Sequence, residues 1–192
     1  MDLASHLPDI AIAAALAWGS GLRAYAVIFA VGLAGSLGWL ELPENLRLLQ
    51  HPLVLGAAGL MTAVEFFADK LPWLDTVWDT VHSFIRIPAG AALAAAVFGD
   101  SGAAATLAAA ILGGTLAAGT HLAKAGTRAA INASPEPFSN WTASLTEDAL
   151  VPLGLWLAVA HPILFFLLLA LFVIASILLL RLIWRGLRRL FA

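Results

Sequence analysis

Charge and cysteine are what this sequence has least of. Only 11% of its 192 residues are charged and 61% are hydrophobic, against roughly 25% charged in an ordinary soluble domain. That deficit excludes a water-soluble fold and predicts an all-α polytopic membrane protein. The absence of cysteine removes disulfides, thiolate metal sites and a cysteine nucleophile. A net charge of −2, with no basic, aromatic-interleaved surface, removes nucleic acid as a partner. No cationic stretch precedes the first apolar run, where Asp2 and Asp9 stand instead, so the N-terminus reads as the start of a membrane helix rather than a signal peptide. Glycine-rich phosphate loops, GxSxG and HExxH are missing too. The length suits a single transmembrane domain over residues 1–192 with five or six spans and no separate soluble module.

The apolar units then follow in order. Asp9 to Ser36 would run ~42 Å as one helix, longer than the ~30 Å hydrocarbon core needs. Gly19-Ser20-Gly21-Leu22-Arg23 offers a break, giving either a discontinuous or re-entrant helix with Arg23 at its corner, or a tilted helix whose glycines are packing points. After a polar loop, with Trp39 as an interfacial anchor, His51-Pro52 opens a second span that ends near Glu65 and Asp69. A third helix is expected to begin at Pro72 and to be interrupted by Pro88 and Gly90. Ala103 to His121 is a span of small residues that needs neighbours. Ser144 with Glu147 reads as a capping box for the next helix. Pro152 and His161-Pro162 are expected to divide the last ~35 apolar residues into a short and a long helix. The terminal Arg181, Arg185, Arg188 and Arg189 place the C-terminus in the cytoplasm by the positive-inside rule, in a bacterial inner membrane.

Against this apolar background two polar concentrations stand out. At ~100° per residue, Asp75, Asp79, His82 and Arg86 fall within roughly 60° on one helical face, and Glu65 and Asp69 precede them. The second concentration, Lys124 to Asp148, holds Ser134, Ser139, Thr142, Ser144, Thr146, Glu147 and Asp148 and, as the candidates, Lys124, Arg128, Asn132, Glu136 and Asn140. Ionisable groups at membrane depth face a bundle interior, a cavity or each other. Together with Arg23 these residues form the candidate substrate- or ion-binding site, and the two groups are expected to meet across a shared hydrated pocket.

Two echoes suggest an inverted repeat with halves 9–99 and 103–184: Gly21-Leu22-Arg23-Ala24 with Gly126-Thr127-Arg128-Ala129, and His51-Pro52 with His161-Pro162.

The strings GSGLRAY, EFFADKLPWLDTVWDTVH, IRIPAG and KAGTRAAINASPEPFSNW resemble the bacterial family designated domain of unknown function 4126, over roughly Ala11 to Val151. The resemblance implies an integral membrane protein with its polar motifs at these strings, and carries no catalytic residue or substrate with it.

Three functions fit the residues. The first is a small transporter or channel, in which carboxylates carry protons or cations, arginines and Lys124 hold an anionic, phosphate-like or lipid-linked solute, and His82 accepts a proton. It needs no cofactor. The second is an intramembrane enzyme acting on a lipid phosphate, with a divalent metal on Asp75, Asp79 and His82. The third is a scaffold subunit whose charges are all satisfied internally. Membrane lipids, a small solute or ion, and further copies of the chain are the expected partners.

Overall fold

The computed structural model describes residues 3–71, 73–132 and 137–190. Among them lie six α-helices and no strand: α1 (Leu3–Ser36), α2 (Pro52–Ala68), α3 (Leu74–Val97), α4 (Ala103–Asn132), α5 (Pro137–Ala160) and α6 (Pro162–Leu190). All but α2 are long and apolar enough to cross a membrane. The 3₁₀ turn Glu44–Gln50 and α2, bent by 67° at their junction, form a broken sixth unit. This is a multi-pass membrane protein.

Burial orders the helices. Two-thirds of the apolar window of α1 is inside protein, against 6% for α6, so α1 is the central post and α6 the outermost, lipid-facing helix. Helix α1 touches every other helix.

The expected break in α1 is present. Arg23 has φ −149° and ψ 82° inside otherwise helical chain. A Cβ on Gly19 would lie 2.7 Å from Val27 Cγ2, yet residues eight apart in a straight helix are ~12 Å apart. The helix therefore folds back at Arg23. Gly19 allows the two arms to meet.

Small residues do the rest of the close packing. A Cβ on Gly90 would lie 2.5 Å from Ala117 Cβ and 3.3 Å from the Ala17 carbonyl, and one on Gly21 would strike the Ala117 carbonyl and lie 2.7 Å from Thr120 Cβ. These contacts clamp α1, α3 and α4 backbone to backbone. They also fix direction. Ala17 faces Gly90 and Gly113, Gly21 faces Ala117 to His121, and Lys124 reaches the Leu22 carbonyl, so the first arm of α1 runs parallel to α4. The echoed Gly21-Leu22-Arg23-Ala24 lies at the corner of α1, and Gly126-Thr127-Arg128-Ala129 lies toward the end of α4.

Two expected helix divisions do not occur. Helix α3 continues through Pro88, because the proline is exposed and Gly90, two residues on, is gripped by Ala17 and Ala117. Helix α5 begins at Pro137 and continues through the exposed Pro152. Ser144 is therefore mid-helix and is no cap. The division at His161 does occur, and α6 starts at Pro162. His51 caps α2, its Nδ1 accepting from the Leu53 N–H at 3.2 Å with Pro52 at the first helical position.

Candidate functional site

The α2–α3 turn, the start of α3, the end of α4, the start of α5 and the corner of α1 converge at one end of the bundle. The sequence explains why each supplies its charge inward. On α3, Asp75, Asp79, His82 and Arg86 are all buried, while Val77 and Phe84 point out. On α4, Ala117, Thr120, His121, Lys124 and Arg128 are buried, following i, i+3, i+4, i+7, i+11 spacing. On α5, Asn140, Ser144, Glu147 and Val151 do the same.

The charges meet directly. Asp69 receives Lys124 Nζ at 2.8 Å and Arg23 Nη2 at 3.0 Å, with Arg128 Nη2 at 4.0 Å. Arg86 grips Asp79 and Glu65, each at 2.5 Å. Lys124 also lies 3.1 Å from Glu147 and 3.4 Å from Asp79. Arg128 donates to Glu147 at 3.2 Å and to the Asn140 carbonyl at 3.0 Å, as well as to Asn140 Oδ1. Arg23 Nε lies 3.0 Å from Asp148, which Lys70 meets at 3.3 Å. Asp75 stands apart, accepting from Asn132 Nδ2 at 2.9 and 3.1 Å.

Every expected site residue within the described part is buried or half-buried in this region; Glu136 lies outside the described residues. The two polar concentrations do meet, but by pairing with each other rather than across an open pocket. A cavity of about 270 Å³ between α3 and α4 adjoins the layer at Asp79, Ser83, His121 and Arg128, and one of about 560 Å³ between α4, α5 and α6 adjoins it at Lys124 and Glu147.

Among the ion-paired groups cations and carboxylates balance, with Lys70 and Asp148 half-exposed at the rim and the buried Asp75, held by Asn132, outside the pairs. Arg23, Lys70, Arg86, Lys124 and Arg128 are the cations, and Glu65, Asp69, Asp79, Glu147 and Asp148 the carboxylates. That makes five of each. Asp69 Oδ1, Asp79 Oδ2, Glu65 Oε2, Arg86 Nε, Arg128 Nε and Asn140 Nδ2 are nevertheless buried without a hydrogen-bond partner among the described residues. Burying such groups costs about 1–3 kcal/mol each. Burial works to raise the Asp69 carboxyl, but Lys124 and Arg23 outweigh it and hold the group below the usual carboxylate range.

Lys70, Ser144, Glu147 and Asp148, which the sequence places in the polar stretches but not among the binding residues, also meet here, as does His121. The Asn140–Ser144–Glu147 spacing on one helical face was the available signal; the capping-box pattern masked it. Lys70 also sits over the Phe66 ring, 3.0 Å from its centroid.

Two chemistries are disfavoured by geometry. Asp75, Asp79 and His82 do not form a ligand set, and no group of three acidic or imidazole side chains among the described residues could hold a metal. His82 donates Nδ1–H to the Trp78 carbonyl at 2.8 Å and stacks on the Trp78 ring. Ser83 Oγ lies 2.6 Å from His121 Nε2, which invites a nucleophile–base reading. Geometry offers it little: Arg86 Nη1 lies 3.3 Å from His121 Nδ1, and the Ser83 hydroxyl donates to the Asp79 carbonyl at 3.0 Å, so its proton is already engaged by its own helix.

No curated protein and no solved structure matches the chain. The model of one family does, over residues 10–182, and its description is Domain of unknown function (DUF4126). With nearly the whole chain matched, the protein belongs to that family.

Proposed function

We propose that this protein is a small translocator that moves an anionic solute in step with a proton. The observation that carries the reading is the balance of the largely buried ion pairs, five cations against five carboxylates. A bare anion entering it would leave one buried charge uncompensated, at a cost of about 3–5 kcal/mol. Entry of a proton with the anion removes that cost, since a carboxylate neutralised by the proton cedes its cations to the anion. Shared partners support such an exchange: Lys124 reaches Asp69, Asp79 and Glu147 within 3.4 Å.

Orientation follows from the tail. Gly126, beside the layer, packs against Leu180 and Ile183 near the end of α6, so the layer and the C-terminal arginines share one end. By the positive-inside rule that end is cytoplasmic, in a bacterial inner membrane. The opposite half is closed by the Ala17–Gly90–Ala117 clamp, so translocation requires the arms of α1 to move. No cofactor takes part.

Reconstitution in liposomes tests this. Uptake of a monovalent anion should be driven by a proton gradient and stopped by Asp79→Asn, with the variant still monodisperse. No movement across phosphate, carboxylate and lipid-linked anions, with or without a gradient, would refute it.

A further inference from the structure

We infer that the crevice between α4, α5 and α6 admits an anionic amphiphile from the bilayer. In it, protonated Glu147 yields its place on Lys124 and Arg128 to the amphiphile's oxyanion head. This rests on the proton-coupled reading above and names its substrate class and its titrating group.

The crevice, about 560 Å³, falls in the size range of ligand sites. Its lining is divided. The buried Lys124 and Glu147 line it on one side, the exposed Thr142 and Thr146 lie on α5 with their hydroxyls donating to their own helix, and Phe172 and Leu179 of α6 form an apolar wall. Because α6 is the least buried span, the open side of the crevice faces hydrocarbon. A solute travelling through water would have no use for that wall; an acyl chain would.

Glu147 is placed to act as the exchange group. It lines the crevice beside Lys124, while Arg128, 1% exposed, lies behind it and lines the α3–α4 cavity. Helix α4 presents Lys124 at 3.1 Å and Arg128 at 3.2 Å, and α1 presents Arg23 at 3.9 Å. Asp148 is its neighbour on α5, Asp69 lies beyond Lys124, and α6 contributes no charge to the crevice lining. When Glu147 takes a proton, five cations face four carboxylates. One monoanionic head restores the balance, bound by the ammonium and guanidinium that Glu147 released. The proton stays on Glu147, and no covalent bond changes.

The test uses purified full-length protein with a short-chain phosphatidylglycerol, a phosphodiester of fixed charge, and dimethyl phosphate as the same head without a chain. With one proton taken up per lipid bound, the dissociation constant should rise with pH, by up to about tenfold per unit. Calorimetry in buffers of different ionisation heat should show that uptake. Glu147→Gln should bind the lipid without the pH slope, and Ala175→Trp, which fills the crevice from α6, should abolish lipid binding while leaving thermal stability unchanged. Binding by the wild type that is independent of pH, a slope retained in Glu147→Gln, or dimethyl phosphate binding as tightly as the lipid would each overturn the inference. Should Glu147→Gln not fold, the wild-type slope and proton uptake decide it alone. Proton-linked lipid binding without flux in liposomes would refute translocation and leave this site standing; proton-driven flux of anions that the crevice-filling variant does not affect would do the reverse.

Discussion

Removing Arg86 alone should be far more damaging than removing it together with Glu65. Both side chains are fully buried, and the Glu65 carboxylate has Arg86 as its one cation within 4 Å among the described ion pairs, at 2.5 Å. Arg86→Met strands Glu65 and weakens the hold on Asp79, and the cost of breaking a buried pair from one side is about 3–5 kcal/mol. Glu65→Gln strands part of the guanidinium at a similar cost. In the double variant four cations face four carboxylates, and the space is filled by groups of similar volume. The second substitution should therefore return a large part of the first loss, a coupling of about 2 kcal/mol or more. Reversible unfolding in mixed micelles of wild type, both single variants and the double variant measures this. Additive losses, or single variants each costing under about 1 kcal/mol as exposed pairs do, would mean that the charges are solvated and would refute the sealed ionic layer.

Further outcomes follow from other contacts. Gly90→Ala sets a methyl 2.5 Å from Ala117 Cβ and should cost about 1–3 kcal/mol by overpacking, read as a lower midpoint in the same unfolding assay, with Gly56→Ala, whose site is open, as the neutral control. Because folding depresses the Asp69 carboxyl, its stabilisation is present above its unfolded value and disappears as pH falls through the folded one. Acid should therefore destabilise the wild type more steeply than Asp69→Asn in pH-dependent melting. Ser83→Ala should retain full translocation, since the Ser83 hydroxyl donates to the Asp79 carbonyl of its own helix; loss of function in a folded variant would restore the nucleophile reading.

How much of this was legible in the sequence depended on periodicity. The polar face of α3 could be read because Asp75, Asp79, His82 and Arg86 recur at helical spacing in an apolar background, and all four are buried. The break at Arg23 could be read because two glycines flank a serine in a run too long for one span. Glu147 could not be assigned, because a serine three residues before a glutamate has the same pattern at a helix start as in a helix middle, and only the upstream extension of α5 to Pro137 separates the two. The ionic partner of Lys70, Asp148, and the partner of His121, Ser83, are 78 and 38 residues away, so neither pairing shows as a local spacing. Prolines 88 and 152 misled for one reason: both sit on exposed helix faces, where the lost backbone bond leaves packing intact.

The most direct test is whether translocation moves net charge. Proteoliposomes holding a fixed proton gradient, with a membrane potential imposed by potassium and valinomycin, should take up the anion at a rate indifferent to the potential, because one negative charge and one proton cross together. A rate that rises or falls with the imposed voltage would contradict the balanced layer as the source of coupling.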